Sequence, residues 1–341
     1  MKVKSTNHRY SMESIISIGT FGNTYLGFDD DNPNKQFQIT VENKDRIQDQ
    51  ESLSQIMIEH NIIMSLKHPN ILNCLEIFED DSHFYIVFDY FSDTTLEHRY
   101  LGLQRISEDK LQFIFQQLVE LIMYFHKNGF AIGSIRSESF LINDRYEIVL
   151  SNLSCVQSLT LPIPKKNFVI PPPEILNGQC QSTASCEVFT LGVLLYMIAS
   201  RGSKPWDTLY DNELKMMYQN SLPMQPPSMS PLCFELVKEM LELDPTARYS
   251  MAQVQQHPWV QKNKGRIKFQ ISHVRIPTPT SPEKKRRASA MKNLILSEKR
   301  KKGSENNPAL SNISVPGSPT LYKHRKSVNP NAIKLPRLEL F

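Results

Sequence analysis

"FAIGSIRSESFLIN", residues 130–143, has apolar residues at both ends, a turn between them and a glutamate, Glu138, inside. That is the outline of a catalytic loop, yet its polar positions hold mostly serines beside Gly133. What surrounds the loop decides the fold to which it belongs.

Immediately upstream, "ISEDKLQFIFQQLVELIMYFH" (106–126) sets Ser107 as an N-cap and puts acids in the first turn. It then spaces Leu111, Ile114, Phe115, Leu118, Leu121, Ile122 and Phe125 at i, i+3, i+4, which predicts an amphipathic helix. Downstream, "EVFTLGVLLYMIAS" (187–200) is apolar nearly all round and predicts a buried central helix. Before Tyr90 the pattern changes. The segments "SIISIGTFGNTYLGF", "KQFQITVEN", "LEIFEDD" and "HFYIVFDYF" alternate or run apolar with β-branched and aromatic residues, as strands do. One helix interrupts them, "SLSQIMIEHNIIMSLKH" (52–68), with Leu53, Ile56, Met57, Ile63 and Leu66 on one stripe. The expected class is α+β: a strand-rich lobe over 1–90, a helical lobe over 91–262, and a tail over 263–341.

The 341 residues, 40% of them hydrophobic, suffice for one large two-lobed domain with appendages. No run approaches the roughly 18 apolar residues of a membrane helix, and "MKVKSTNHRY" lacks a secretory h-region, so the expected location is intracellular, cytoplasmic or nuclear. Five scattered cysteines without CxxC spacing argue against disulfides and zinc. Charge is segregated: about 20 basic and 31 acidic residues precede position 261, and about 19 and 4 follow it. The basic tail is rich in Ser, Pro, Asn and Lys with almost no apolar periodicity beyond "MKNLIL" (291–296), which predicts disorder.

The order of these segments resembles a eukaryotic protein kinase domain of Ser/Thr type, most like the calcium/calmodulin-dependent group, over about residues 10–260. "LKHPNIL" (66–72) resembles the turn after helix C, "FYIVFDYF" the strand entering the hinge, and "FHKNGF" (125–130) the lead-in to the catalytic loop. "PPPEIL" (171–176) resembles the APE segment, and "MLELDPTARYSMAQVQQHPWV" (240–260) the closing helices.

The resemblance implies a two-lobed fold and assigns positions that this chain fills unusually. An active kinase holds ATP phosphates with a strand lysine gripped by a helix C glutamate, takes the substrate proton on an aspartate, and binds magnesium through an asparagine and the DFG aspartate. Aligning "FQIT" puts Thr40 at the lysine, and Glu59 matches the helix C acid without a partner, where it reads as an exposed acid. Lys44 lies roughly 13 Å farther along a strand, a solvated loop lysine on this reading. The H-R-D triplet becomes Ile132, Gly133 and Ser134, the metal-binding asparagine becomes Ser139, and "VLSNLSC" puts Asn152, Leu153 and Ser154 at DFG. A serine there is no general base, and Asn152 offers Mg²⁺ an amide oxygen but no charge. "HRYL" (98–101) imitates the triplet but falls in the helix D region as an exposed segment.

The glycine-rich loop "SIGTFGNT" keeps Gly19 and Gly22 but has Ser17 first, leaving phosphate cradle and simple hairpin both open. Thr24, Gln38 and Leu141 stand where apolar residues sandwich adenine, and Gln38 is bulky and polar where alanine is expected. ATP binding is therefore expected to be weak or absent, with no magnesium and no other cofactor. The family's apolar column between lobes maps onto Ile63, Phe84, Ile132 and Leu153. Glu174 and Arg248 match its buried ion pair, and Glu187 replaces the helix F aspartate that holds the catalytic loop.

The tail carries basic clusters at Lys284–Arg287 and Lys299–Lys302 around an apolar segment. These fit an import signal, an anionic membrane or nucleic-acid contact, a calmodulin-like target helix, or a solubilising tail. Ser289 resembles a basophilic kinase site, while Thr278, Ser281 and Ser318 precede proline; phosphate there would offset the basic charge. The expectation is a catalytically inactive kinase-fold scaffold or allosteric partner for other proteins, an active kinase or its substrates among them. The alternative is an active Ser/Thr kinase using atypical groups such as Arg136 and Glu138.

Overall fold

A curled antiparallel sheet opens the chain, its strands alternating one face onto a core of their own. The computed structural model describes residues 2–262 except 6–7, 20, 33, 48, 103–104, 134, 155, 162–164, 166–167, 179–182, 209 and 222. The strands are β1 (Lys2–Lys4), β2 (Arg9–Ile18), β3 (Gly22–Asp29) and β4 (Gln36–Asn43), then β5 (Cys74–Glu79) and β6 (His83–Asp89) after a helix, α1 (Gln50–Ser65). They pair in the order β1-β2-β3-β4-β6-β5. Phe37, Ile39 and Val41 of β4, with Tyr85 and Val87 of β6, join Tyr10 and Met12 in one buried cluster. The period of two then turns the intervening residues of β4, Gln38, Thr40 and Glu42, to the opposite face.

Helix α1 covers part of that second face. Asp49 caps it by accepting the Ser52 amide (2.7 Å), and Leu53, Ile56, Ile63 and Leu66 are buried as the stripe predicts, with Met57 half-buried. The following turn fastens the lobes together: Asn70 Nδ2 donates to Gln117 Oε1 (3.0 Å) and to the Ile148 carbonyl (2.7 Å), and the Leu72 amide donates to the Leu150 carbonyl (3.0 Å).

The helical part begins with α2 (Leu96–Leu101) and α3 (Glu108–Lys127). Short strands follow, β7 (Phe130–Ala131), β8 (Phe140–Ile142), β9 (Ile148–Leu150) and β10 (Gln157–Ser158), pairing β7 with β10 and β8 with β9. Then come α4 (Pro173–Leu176), α5 (Thr183–Ala199), α6 (Asp211–Asn220), α7 (Pro231–Met240), α8 (Met251–Gln256) and α9 (Pro258–Gln261). All seven predicted apolar positions of α3 are buried, and α5 is buried nearly all round. Ser107 occupies the N-cap of α3 without a side-chain capping bond. Glu108 in the first turn accepts instead from Trp259 Nε1 (2.7 Å) and the Ser230 amide (3.1 Å), tying α3 to α7 and α9.

Two expectations need correction. Ile63, Ile132 and Leu153 share the large core that runs between the lobes, but Phe84 does not: it packs with Ile47, Leu53 and Ile56 in a separate cluster under α1. Cys74 and Ile77 of β5, both buried in the large core, extend it into the sheet. "HRYL" is not simply exposed, because Tyr100 is 2% exposed with its hydroxyl 3.0 Å from Ser137 Oγ, and Arg99 pairs with Asp144 at 3.0 Å. Among the described residues no helix is long and apolar enough to cross a membrane, and Cys74, Cys186 and Cys233 are buried. Ser289, Thr278, Ser281, Ser318 and the basic clusters lie outside the described residues.

Candidate active site

The catalytic-loop scaffold is held from below. Glu187, fully buried on α5, accepts the Ile132 amide (2.7 Å) and the Gly133 amide (3.2 Å) on Oε1, while Oε2 contacts His126 Nε2. A helix carboxylate thus fixes the loop backbone although it is one methylene longer than the family's aspartate. Gly133 has φ 77°, a left-handed conformation that glycine adopts without a Cβ clash. His126 was not anticipated as the third member of this group; its place in "FHKNGF", one turn from the loop, is the only trace in the sequence.

The functional positions on this scaffold are neutral. Ser134 lies outside the described residues. Ser139 is buried, and its carbonyl receives the Ser151 amide (2.9 Å) and hydroxyl (3.1 Å). Asn152 is exposed and spends its Oδ1 on the Ser154 amide (2.9 Å), a local turn bond, while Leu153 beside it is buried. Arg136, at the loop's outer side, contacts Glu138, and both remain about two-fifths exposed. Among the described residues no group of three or more His, Cys, Asp or Glu side chains is arranged to hold a metal ion.

The roof of the cleft is occupied by its own side chains. Thr40 stands opposite Thr24 in the β3–β4 register, and their hydroxyls lie 3.0 Å apart. Gln38, 3% exposed, donates from Nε2 to the Ser92 carbonyl of the interlobe segment (3.3 Å). Leu141, buried below, bridges to Thr95. The glycine loop folds as a hairpin bonded to itself and to β4: the Gly19 amide donates to the Gly22 carbonyl (2.7 Å), and the Asn43 amide to the Phe21 carbonyl (2.8 Å). Gly22 lies so near β4 that a Cβ would fall 1.7 Å from the Val41 carbonyl oxygen. Phe21 packs against the Ile47, Leu53, Ile56 and Phe84 cluster.

Charges beneath the roof are rearranged. Glu59 is not the exposed acid expected: it is half-buried, and burial, reinforced by the neighbouring Glu42 carboxylate, pushes its carboxyl up to about 7. The residue after it makes the pair. His60 Nε2 donates to Glu42 Oε2 at 2.9 Å, with both side chains nearly out of solvent. Lys44 is likewise not solvated. Its Nζ meets Glu79 Oε2 (2.7 Å) and the Asp80 carbonyl (2.6 Å), and lies 4.6 Å from the Phe84 ring centroid. His60 had a legible signal, standing on the buried stripe four residues after Ile56 and three before Ile63.

Away from the cleft, Arg248 and Glu174 form a two-pronged pair at 2.6 and 3.0 Å, both side chains buried. Arg248 also donates to the carbonyls of Glu242 (2.7 Å) and Ser185 (3.0 Å) and stacks its guanidinium over Phe189 at 5.0 Å. The sequence placed this pair correctly.

A curled sheet lobe on a helical lobe, with a loop hung from a buried α5 carboxylate, defines the kinase fold. The family model "Protein kinase domain" matches residues 10–260, and the chain belongs to that family. It is similar to the human NUAK family SNF1-like kinase 2, at 28% identity over 74% of this chain and 40% of that protein. It is also similar to the probable serine/threonine-protein kinase MARK-A of Dictyostelium discoideum, at 25% identity over 76% of this chain and 25% of that protein. The serine/threonine-protein kinase cds1 of Schizosaccharomyces pombe is 24% identical over 75% of this chain and 59% of its own length. The chain therefore spans well under two thirds of each of these relatives.

Proposed function

We propose that this kinase-family chain does not transfer phosphate and acts inside the cell as a scaffold or allosteric partner of signalling proteins, among them an active kinase or its substrates. The observation that carries this reading is the neutral, self-filled cleft: Thr40 bonded to Thr24, and Gln38 bonded to Ser92. A lysine position without charge gives the phosphates of ATP no cation, and Asn152, turned to a local backbone bond, gives Mg²⁺ no anion. The residues present do not fit a magnesium-bound triphosphate. Losing one preorganised electrostatic group costs about 2.7–4 kcal/mol of transition-state stabilisation, and several are missing together. The test is a thermal-shift titration with ATP, with and without magnesium, beside a phosphotransfer assay on the unmodified chain and on Thr40→Lys/Ser134→Asp. No shift and no transfer are expected; metal-dependent transfer by the unmodified chain overturns the reading.

Two observations favour a second reading, an active serine/threonine kinase: the similar proteins are named as kinases, and a charged pair, Arg136 and Glu138, stands in the loop. It predicts transfer that Glu138→Gln abolishes. The basic tail is a candidate contact for an import receptor, an anionic membrane or nucleic acid, and salt-sensitive binding lost on removing 263–341 would support that role.

A further inference from the structure

The strand lysine and helix acid of an active kinase form a pair that couples helix α1 to the bound nucleotide. This chain lacks the lysine, yet α1 is seated on the sheet. We propose that Glu42 and His60 form a clamp of reversed polarity, acid on the strand and base on the helix, which holds α1 inward with no nucleotide. The inference rests on the reading above only in taking Thr40 to leave the phosphates ungripped.

Glu42 lies two residues beyond Thr40 on β4, so the strand's alternation turns it to the same face. In the register it stands opposite Phe84 of β6. His60 spans the two: its Nε2 reaches Glu42 at 2.9 Å, and its ring meets the Phe84 ring edge-on, with centroids 5.4 Å apart and planes at 77°. Lys44, anchored to Glu79, faces the same Phe84 ring at 4.6 Å. Five side chains from β4, the turn after it, α1, β5 and β6 thus interlock.

The other ring nitrogen of His60, Nδ1, is buried without a protein partner. The imidazole is therefore held by one hydrogen bond, with the Phe84 ring beside it. Removing Glu42 alone strands a buried imidazole, and removing His60 alone strands a buried carboxylate, whereas removing both leaves nothing uncompensated. That asymmetry distinguishes a clamp from two polar residues that happen to touch.

The test is amide hydrogen exchange over residues 53–65 in the full chain without nucleotide, for His60→Leu, Glu42→Leu, the double Leu variant and His60→Gln. Each single Leu variant is expected to speed exchange in α1 at least tenfold. The double variant is expected to return it to within about threefold of the unmodified chain, and His60→Gln, whose amide still donates to Glu42, to hold it there. Single variants that exchange like the unmodified chain overturn the clamp. Should a single variant fail to fold, recovery in the double variant supports the clamp and its absence overturns it. A parallel arm with ATP and magnesium reads only the proposed function: faster exchange in the single variants with ATP protection of α1 would keep the clamp and sink the reading of a cleft that does not fit nucleotide.

Discussion

The cleft roof and the base of the helical lobe treat charge in opposite ways. At the base, Glu174–Arg248 and Glu187 with the loop amides are charged, paired and buried. In the roof, Thr40 stands at the lysine position and Gln38 where alanine is expected, and a different pair, Glu42–His60, joins α1 to the sheet. The base groups are buried charges, so losing one of them alone would leave its partner uncompensated inside the protein. The roof groups of an active kinase answer to ligand and metal. Thr40 and Gln38 take hydrogen-bond partners from the protein itself, Thr24 and the Ser92 carbonyl, although Gln38 Oε1 stays buried without one.

Four measurements break or sharpen that contrast. The largest effect is expected at the base, where Arg248→Leu leaves Glu174 buried and unpaired and costs about 3–5 kcal/mol in urea unfolding. Next, Glu187→Leu frees two loop amides and removes the partner of His126. It should lose about 2–3 kcal/mol and raise protease cutting near residue 133, and an unchanged midpoint would show that the loop does not depend on α5.

The third concerns Glu59, faced by Glu42 of β4 and by its neighbours Gln55 and His60 on α1. Its folded carboxyl is raised from 4.5 to about 7, so the folded chain holds the proton more tightly and this contribution to stability is complete below about 4.5. It disappears as pH rises through about 7, and Glu59→Gln should flatten the profile, gaining on the order of 2 kcal/mol at pH 8 relative to pH 5. Parallel profiles for the two proteins count against the raised carboxyl. The smallest effect belongs to the roof: Gln38→Ala should change stability by about 1 kcal/mol while opening room for adenine. An ATP-induced thermal shift in that variant alone identifies Gln38 as the obstruction, and a shift in the unmodified chain removes it from that role.

Much of this architecture was legible in linear order, because period-two and period-3.6 apolar patterns report which face of a segment is buried. The stripes of α1 and α3 and the all-round burial of α5 follow from such patterns, and the Glu174–Arg248 pair from the resemblance to the kinase family. Missing charges at Thr40, Gly133 and Asn152 were equally visible, since an absent side chain needs no coordinates to be absent. What replaced them was hidden. Glu42 and His60 are 18 residues apart, and nothing local says that a strand's alternation and a helix stripe bring them to 2.9 Å. Lys44 read as solvated and Glu59 as exposed for the same reason: burial of a charged group depends on which neighbours the folded sheet and helix supply. Phe84, apolar and well placed in sequence, fell outside the interlobe column because membership of a core depends on packing in three dimensions. Composition and periodicity determined the lobes, and the resemblance to the kinase family exposed the loss of charge; only the closed tertiary structure decided which groups pair inside them.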